Sequence, residues 1–259
     1  MGSEHSGRPR GKIKGAPDYD DASFWDTKFA TGQDVGEWLN SGQVLLKPVL
    51  SALEQRQHGH TPSVLHLGPG VSKLGTKLCD AFSSRGWTSD GIVNIDFSSE
   101  AVRLGRESSR KQAFTQAMHW LQADLCSWDE LIQLSRFPPF DVILDKSTSD
   151  AIATSESRKF TSTERQNMCP IVLQIVEKSG EITLSPVELL ALHLVPWTQP
   201  GTTWVVLSYS SSRFDNLSHL ADYWSILSRT PVQAPSGQAS SSSAHVPQVF
   251  HWIYVLQRK

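Results

Sequence analysis

The chain has 259 residues, of which 39% are hydrophobic, 19% are charged and 9% are aromatic, and its 24 basic and 26 acidic side chains give a formal net charge of -2. This length and composition are typical of one large or two small globular domains, and they exclude a disordered, collagen-like or coiled-coil protein. The lack of excess positive charge disfavours a nucleic-acid partner, and no apolar run is long enough to form a membrane-spanning helix.

Two polar stretches predict segments outside the core. Residues 1–15 are rich in glycine and basic residues and lack the apolar stretch of a secretory signal, which predicts a disordered basic tail. Residues 234–247 include a serine-rich run and predict a flexible loop. The cysteines, Cys79, Cys126 and Cys169, are too widely spaced to predict a disulfide framework or a zinc site. We therefore expect a cytoplasmic protein without a bound metal.

The remaining chain, residues 16–259, is predicted to form a single α/β domain. Continuous apolar runs predict strands at residues 63–67, 91–97, 118–123, 140–145, 203–209 and 249–257. Such runs are typical of parallel strands covered on both faces, and helical patterns lie between them, which predicts a Rossmann-like, doubly wound sheet. No helical pattern separates residues 225–232 from the last strand, so we expect these two strands to form an antiparallel hairpin at the sheet edge and to complete a seven-stranded sheet.

Helix signals mark two of the connecting segments. Residues 98–110 carry apolar residues on a mixed face, and residues 184–194 begin with Ser185 as an N-cap and Pro186 in the first turn. Residues 152–183 are long for a connection, which is typical of a lid or a binding loop. We expect them either to line the wall of an acceptor site or to form an insertion without a role there.

A turn that contains Gly68 and Gly70 follows the first predicted strand, and Asp96 ends the second. Glycine in such a turn lets a ligand approach the backbone, and a carboxylate at the neighbouring strand tip can accept hydrogen bonds from both hydroxyls of a ribose. Lys73 stands where a dinucleotide fingerprint needs its third glycine, and the P-loop pattern is absent. S-adenosylmethionine has a ribose but no phosphate, so it fits better. The structural alternatives are a tight turn and a strand-end cap.

Asp124 and Leu125 follow the third predicted strand, which places them at the same edge of a doubly wound sheet. We expect the Asp124 carboxylate to accept a hydrogen bond from the adenine amine. The backbone N–H of Leu125 would donate to a ring nitrogen of the same base. The structural alternative for Asp124 is a solvated turn residue.

The most specific stretch is FDVILDKSTSDA at residues 140–151, which resembles the D-K-G-T-x-D-A signature of one group of eukaryotic class I methyltransferases. That group modifies lysines of translation elongation factor 1-alpha and of citrate synthase, and it has fungal relatives. Four further segments are similar to motifs of that group. FWDTKF at 24–29 is similar to Y-W-D-x-R-Y, and EWL at 37–39 is similar to D-W-F. VLHLGPGVS at 64–72 is similar to V-L-x-L-G-C-G-N-S, and NIDFS at 94–98 is similar to V-D-Y-S. Among the departures, Ser147 replaces the glycine of D-K-G-T.

The resemblance implies S-adenosylmethionine as the cofactor and a protein lysine as the methyl acceptor. It also implies a set of cofactor contacts. Trp25 and Phe29 would close over the cofactor, Gly68 would approach its methionine portion, and Gly70 belongs to the same set of cofactor contacts. Asp96 and Phe97 would hold ribose and adenine. Asp124 and Leu125 would address the adenine edge, and Lys146 would lie beside the methionine carboxylate.

The residues of the acceptor site are less well defined by the sequence. Asp145 and Asp150 flank the expected transfer site, where either carboxylate would orient an ammonium or accept its proton, unless they are a strand-end charge and a helix N-cap. Tyr209 either lines the acceptor pocket or is a core tyrosine. A small molecule with a thiol, hydroxyl or amine, of the kind found in fungal secondary metabolism, is the alternative acceptor. A non-catalytic binding module is a further alternative. We expect a monomer or weak dimer.

Overall fold

A computed structural model of the chain describes residues 18–32, 36–56, 61–111, 117–163, 167–235 and 248–259. The predicted basic tail and most of the predicted serine-rich loop lie outside the described residues. No helix within these ranges is both long enough and apolar enough to cross a lipid bilayer.

Strands and helices alternate along most of the chain. The strands are β1 (Val64–Leu67), β2 (Ile92–Asp96), β3 (His119–Gln122), β4 (Phe140–Lys146), β5 (Arg158–Phe160), β6 (Ile182–Leu184), β7 (Thr198–Ser208), β8 (Trp224–Gln233) and β9 (Phe250–Arg258). The α-helices are α1 (Ala22–Thr31), α2 (Gln43–Gln55), α3 (Leu74–Ser83), α4 (Ser99–Lys111), α5 (Trp128–Leu131), α6 (Thr148–Ile152), α7 (Pro170–Ser179), α8 (Pro186–Leu194) and α9 (Leu220–Tyr223).

The main sheet has seven strands in the order β3-β2-β1-β4-β7-β9-β8. Neighbours from β3 to β7 are parallel, whereas β9 is antiparallel to both β7 and β8. The predicted seven-stranded Rossmann-like sheet with an antiparallel C-terminal hairpin is therefore confirmed. The last strand of the chain lies inside the sheet, and β8 forms its edge.

Apolar side chains cover both faces of this sheet. Every residue of β1, β2 and β4 is buried, which explains why these strands read as continuous apolar runs. One face packs under α8 and the other under α2 and α3. Helix α8 begins where its signal predicts, since the Ser185 side chain accepts a hydrogen bond from the Glu188 N–H at 3.3 Å.

The long connection at 152–183 has its own small structure. It contains the two-stranded antiparallel sheet of β5 and β6, with α7 between them. Helix α7 packs its apolar face, which includes Val172 and Val176, against Leu189 and Leu192 of α8. The segment is thus an addition to one side of the main domain.

Candidate functional site

A cavity of about 410 Å³ opens where the parallel strands β1 to β4 end. In a doubly wound sheet the carboxyl ends of neighbouring strands meet at one edge, and loops from several strands surround the space there. All nine residues that the sequence assigned to a cofactor line this cavity: Trp25, Phe29, Gly68, Gly70, Asp96, Phe97, Asp124, Leu125 and Lys146. The structure therefore brings the predicted set together.

The glycine turn after β1 is pressed against the loop that follows β4. Gly68 and Gly70 have φ angles of 50° and 52°, a left-handed backbone that favours glycine. A Cβ atom on Gly68 would lie 2.3 Å from Oγ1 of Thr148. That hydroxyl donates to the carbonyl of Leu67 at 2.8 Å, which fixes it in place. Glycine is required at position 68 by both backbone and space.

The Asp96 carboxylate is held beside this turn by backbone donors. Its Oδ2 accepts a hydrogen bond from the N–H of Gly70, and its Oδ1 accepts one from the N–H of Ser98, both at 2.9 Å. Burial raises the pKa of Asp96 to about 6, although the two backbone N–H groups favour the ionised form. Each carboxylate oxygen has a further lone pair, so Asp96 can serve as a strand-end cap and still accept hydrogen bonds from a ligand.

The loop after β3 forms a second wall. Oδ1 of Asp124 accepts a hydrogen bond from the N–H of Cys126 at 2.8 Å, and burial raises the pKa of Asp124. The carbonyl of Leu125 accepts from Nδ1 of His193 at 2.9 Å. Arg158, on β5, donates to the carbonyl of Cys126 at 2.8 Å. The 152–183 connection thus supports the Asp124 side of the cavity.

Four aromatic residues of the N-terminal segment cover the cavity, and we refer to Tyr19, Trp25, Phe29 and Trp38 as the aromatic cap. Trp25 and Phe29 are stacked, with ring centroids 5.5 Å apart, and Trp38 meets Trp25 edge-on at 5.7 Å. The Phe29 ring reaches the glycine turn, because a Cβ atom on Gly70 would lie 3.2 Å from it. The cap therefore contacts the turn directly.

The ammonium group of Lys146 faces this N-terminal segment. Its Nζ lies 3.2 Å from Oε2 of Glu37 and donates to the carbonyls of Trp38 and Asn40 at 3.0 and 3.3 Å. An ammonium group has three N–H donors, and all three have protein partners here. Lys146 lines the cavity, and its charge anchors the aromatic cap in this structure, while its contact with a cofactor carboxylate stays a prediction.

The two predicted catalytic residues lie elsewhere. Asp145 is fully buried and is absent from the cavity lining, and its carboxylate accepts hydrogen bonds from the N–H groups of Thr148 and Ser149. Burial raises its pKa to about 7. Tyr209 is 54% exposed and also does not line the cavity. Neither side chain lines the cavity, so a contact of Asp145 or Tyr209 with an acceptor stays a prediction.

Asp150 is held in a buried network of polar contacts and does not line the cavity. It forms a buried ion pair with Arg213 at 2.8 Å and accepts hydrogen bonds from the Ser147 hydroxyl and the Tyr209 N–H at 3.1 and 3.0 Å. Ser147 has a φ of 65°, so it occupies the left-handed conformation at the position where the resembling signature has glycine.

The cavity is also lined by Tyr19, Trp38 and Thr148, to which the sequence patterns assign no ligand contact. The similarity of residues 37–39 to a known segment is the signal that could have drawn attention to Trp38. No cluster of three or more potential metal-ligating side chains occurs among the described residues, which leave out 1–17 and the gaps given above.

Comparison with known proteins agrees with this fold. No family model matches the chain. Methyltransferase srdJ of Neurospora crassa is 24% identical over 243 residues, which cover 94% of this chain and 85% of that protein. A SAM-dependent methyltransferase of Anabaena variabilis has a TM-score of 0.53 with 11% identity, over 97% of this chain and 100% of the other.

A second solved structure comes from a study of the conversion of a disulfide bond into a thioacetal group during echinomycin biosynthesis. It has a TM-score of 0.54 with 13% identity, over 92% of this chain and 93% of the other. At these identities the structural likenesses establish a shared fold.

Proposed function

We propose that this protein, an S-adenosylmethionine-dependent methyltransferase of the class I fold, methylates a small molecule with an apolar or aromatic body. The observation that carries the choice of acceptor is the aromatic cap over the cavity, together with the absence of Asp145 and Asp150 from the cavity lining. A cationic lysine would be better served by an acidic channel.

The residues at the strand ends fit S-adenosylmethionine. Gly68 and Gly70 bring the backbone of the turn to the cavity, and Asp96 presents a carboxylate beside them. Phe97 and Leu125 supply apolar surfaces for adenine, with Asp124 at its edge. When bound, the cofactor supplies a methyl group already activated on a sulfonium.

The protein side of the reaction is positioning and exclusion of water. The faces of Trp25 and Phe29 attract a cation such as a sulfonium through their ring quadrupoles. The same rings remove water from the cavity, and a flat apolar acceptor packs well against them. Holding an acceptor atom in line with the methyl group is the main contribution needed for this displacement.

A protein lysine would need more from the site. Its ammonium must lose a proton before it can attack, and strand β4 was expected to provide the carboxylate. Asp145 is instead bound to backbone N–H groups, and Asp150 is paired with Arg213. The carboxylates that line the cavity, those of Asp20, Glu37, Asp96 and Asp124, also have partners.

The class of acceptor is tested by the size of the labelled product. We expect the protein, incubated with tritiated S-adenosylmethionine and a lysate of the cells that produce it, to label the low-mass fraction. The Asp96→Ala variant should label the same fraction more weakly. Label found only on protein would refute the small-molecule acceptor and favour lysine methylation.

Binding of S-adenosylhomocysteine is expected to weaken as the pH falls through about 6. Burial raises the pKa of Asp96 to about 6, and ribose hydroxyls donate to the ionised form. The affinity is therefore full above that pH and decreases below it by up to about tenfold per unit, until it reaches the affinity of a variant without the carboxylate. Calorimetric titrations over a pH series test this, and Asp96→Asn should lose the change in affinity near pH 6. A flat profile for the unmodified protein would contradict the ribose role of Asp96.

A further inference from the structure

The aromatic cap is attached to the domain in an unusual way. None of the ten residues of α1, which carries Trp25 and Phe29, is buried. Trp38 is also 37% exposed. Because burial of apolar surface is what usually holds a helix in place, the position of this segment must depend strongly on its polar contacts.

Asp26 provides one of these contacts. Its carboxylate accepts hydrogen bonds from the hydroxyls of Ser98 and Ser99 at 2.6 and 3.1 Å and from the N–H of Glu100 at 3.1 Å. These groups form the N-terminus of α4, where unpaired N–H groups and the helix dipole favour a negative charge. Asp26 thus acts as an N-terminal cap supplied by another helix.

The contact between Asp26 and Ser98 is linked to Asp96, the carboxylate proposed to bind the ribose. Ser98 donates its hydroxyl to Asp26 and its backbone N–H to Oδ1 of Asp96, so one residue links the two carboxylates. Asp26 itself does not line the cavity. A shift of α1 away from α4 would therefore move a residue that also orients Asp96.

Glu37 provides a matching contact on the other side of the glycine turn. It accepts hydrogen bonds from the Ser72 hydroxyl at 2.7 Å and from the Lys73 N–H at 3.0 Å, at the start of α3. Its Oε2 also forms an ion pair with Nζ of Lys146 at 3.2 Å. The segment is therefore fixed at two helix N-termini, those of α3 and α4, which flank the cavity.

We propose that Asp26 is a positioning residue that holds the aromatic cap closed over the cofactor, with Glu37 as its counterpart at α3. Cofactor affinity then depends on a carboxylate that touches neither the cofactor nor the acceptor. This inference rests on the proposed function for the identity of the ligand, but the attachment itself is a property of the ligand-free protein.

The test combines hydrogen exchange with ligand binding. In Asp26→Ala we expect amide exchange of residues 22–31 in the ligand-free protein to accelerate at least about tenfold, and the Kd for S-adenosylhomocysteine to rise by about tenfold or more. Asp26→Asn keeps one oxygen acceptor, so its exchange rate and its Kd should lie between those of the unmodified protein and those of Asp26→Ala. Glu107→Gln removes a charge from α4 whose partner is Arg103 and not Asp26, and it should match the unmodified protein in both measurements.

Two results would overturn the proposal. One is exchange of residues 22–31 within twofold of the Glu107→Gln control; the other is faster exchange with an unchanged Kd. If Asp26→Ala does not fold, Asp26→Asn is held to the same criteria. Failure of the unmodified protein to bind S-adenosylhomocysteine would reject the proposed function, while the exchange comparison would still decide whether Asp26 holds α1.

Discussion

Replacing Asp96 by alanine is expected to weaken binding of S-adenosylhomocysteine by about 1–3 kcal/mol, which corresponds to roughly 5- to 150-fold in Kd. The carboxylate is oriented by the N–H groups of Gly70 and Ser98, and its remaining lone pairs are available to a ligand in the cavity that it lines. Hydrogen bonds to a charged acceptor are the stronger kind, and their loss leaves ribose hydroxyls unpaired. Equilibrium dialysis with labelled cofactor measures the change.

The control for this experiment is Asp129→Ala, which removes an exposed carboxylate of α5 outside the cavity. It should bind like the unmodified protein. Thermal unfolding of both variants separates a loss of contact from a loss of fold, because Asp96 also caps two backbone N–H groups. An affinity of Asp96→Ala within twofold of the control would show that the carboxylate does not hold the ribose.

Gly68→Ala is expected to abolish cofactor binding and to lower the free energy of unfolding by about 2–5 kcal/mol. A left-handed φ costs a residue with a Cβ atom about 1–2 kcal/mol, and forcing an atom into a filled space costs about 1–3 kcal/mol more. Here the new Cβ would lie 2.3 Å from Oγ1 of Thr148, with a φ of 50°. Denaturant titration followed by calorimetry with S-adenosylhomocysteine measures both effects.

The chain offers a matched control in Gly86. Its φ is 71°, and a Cβ atom there would have no neighbour within 4 Å, so Gly86→Ala measures the backbone cost alone. The double variant Gly68→Ala/Thr148→Ala removes the colliding hydroxyl and should recover part of the stability lost. If Gly68→Ala were no less stable than Gly86→Ala, the close approach of the glycine turn to Thr148 would be wrong.

Much of the sheet could be predicted from local sequence because both of its faces are covered. The fully buried strands β1, β2 and β4 are short and mainly apolar, although each also contains a buried polar residue, His66, Asn94 or Asp141. In contrast, β3, which forms one edge of the sheet, has a single buried residue and a weaker pattern. The insertion of β9 between β7 and β8 depends on pairing over a long sequence distance. No local pattern encodes that order.

In the site, too, local sequence predicts some residues, whereas contacts between distant parts of the chain are not predictable from it. Gly68 and Asp96 could be predicted because their strands end at the sheet edge where ligands bind. Asp145 also ends a strand, but successive side chains of a strand point in opposite directions, and Lys146 is the neighbour that lines the cavity. The partners of Lys146 come from residues 37–40, about one hundred positions earlier in the chain. The sequence gives no sign of such a contact.

The central claim is that the cavity between the glycine turn and Asp96 holds the nucleoside and methionine portions of the cofactor. Isothermal titration calorimetry of the unmodified protein with S-adenosylhomocysteine at neutral pH tests it most directly. We predict saturable heat with one site per chain and a Kd in the micromolar range. The absence of binding heat at millimolar ligand, with the protein shown to be folded, would contradict the claim.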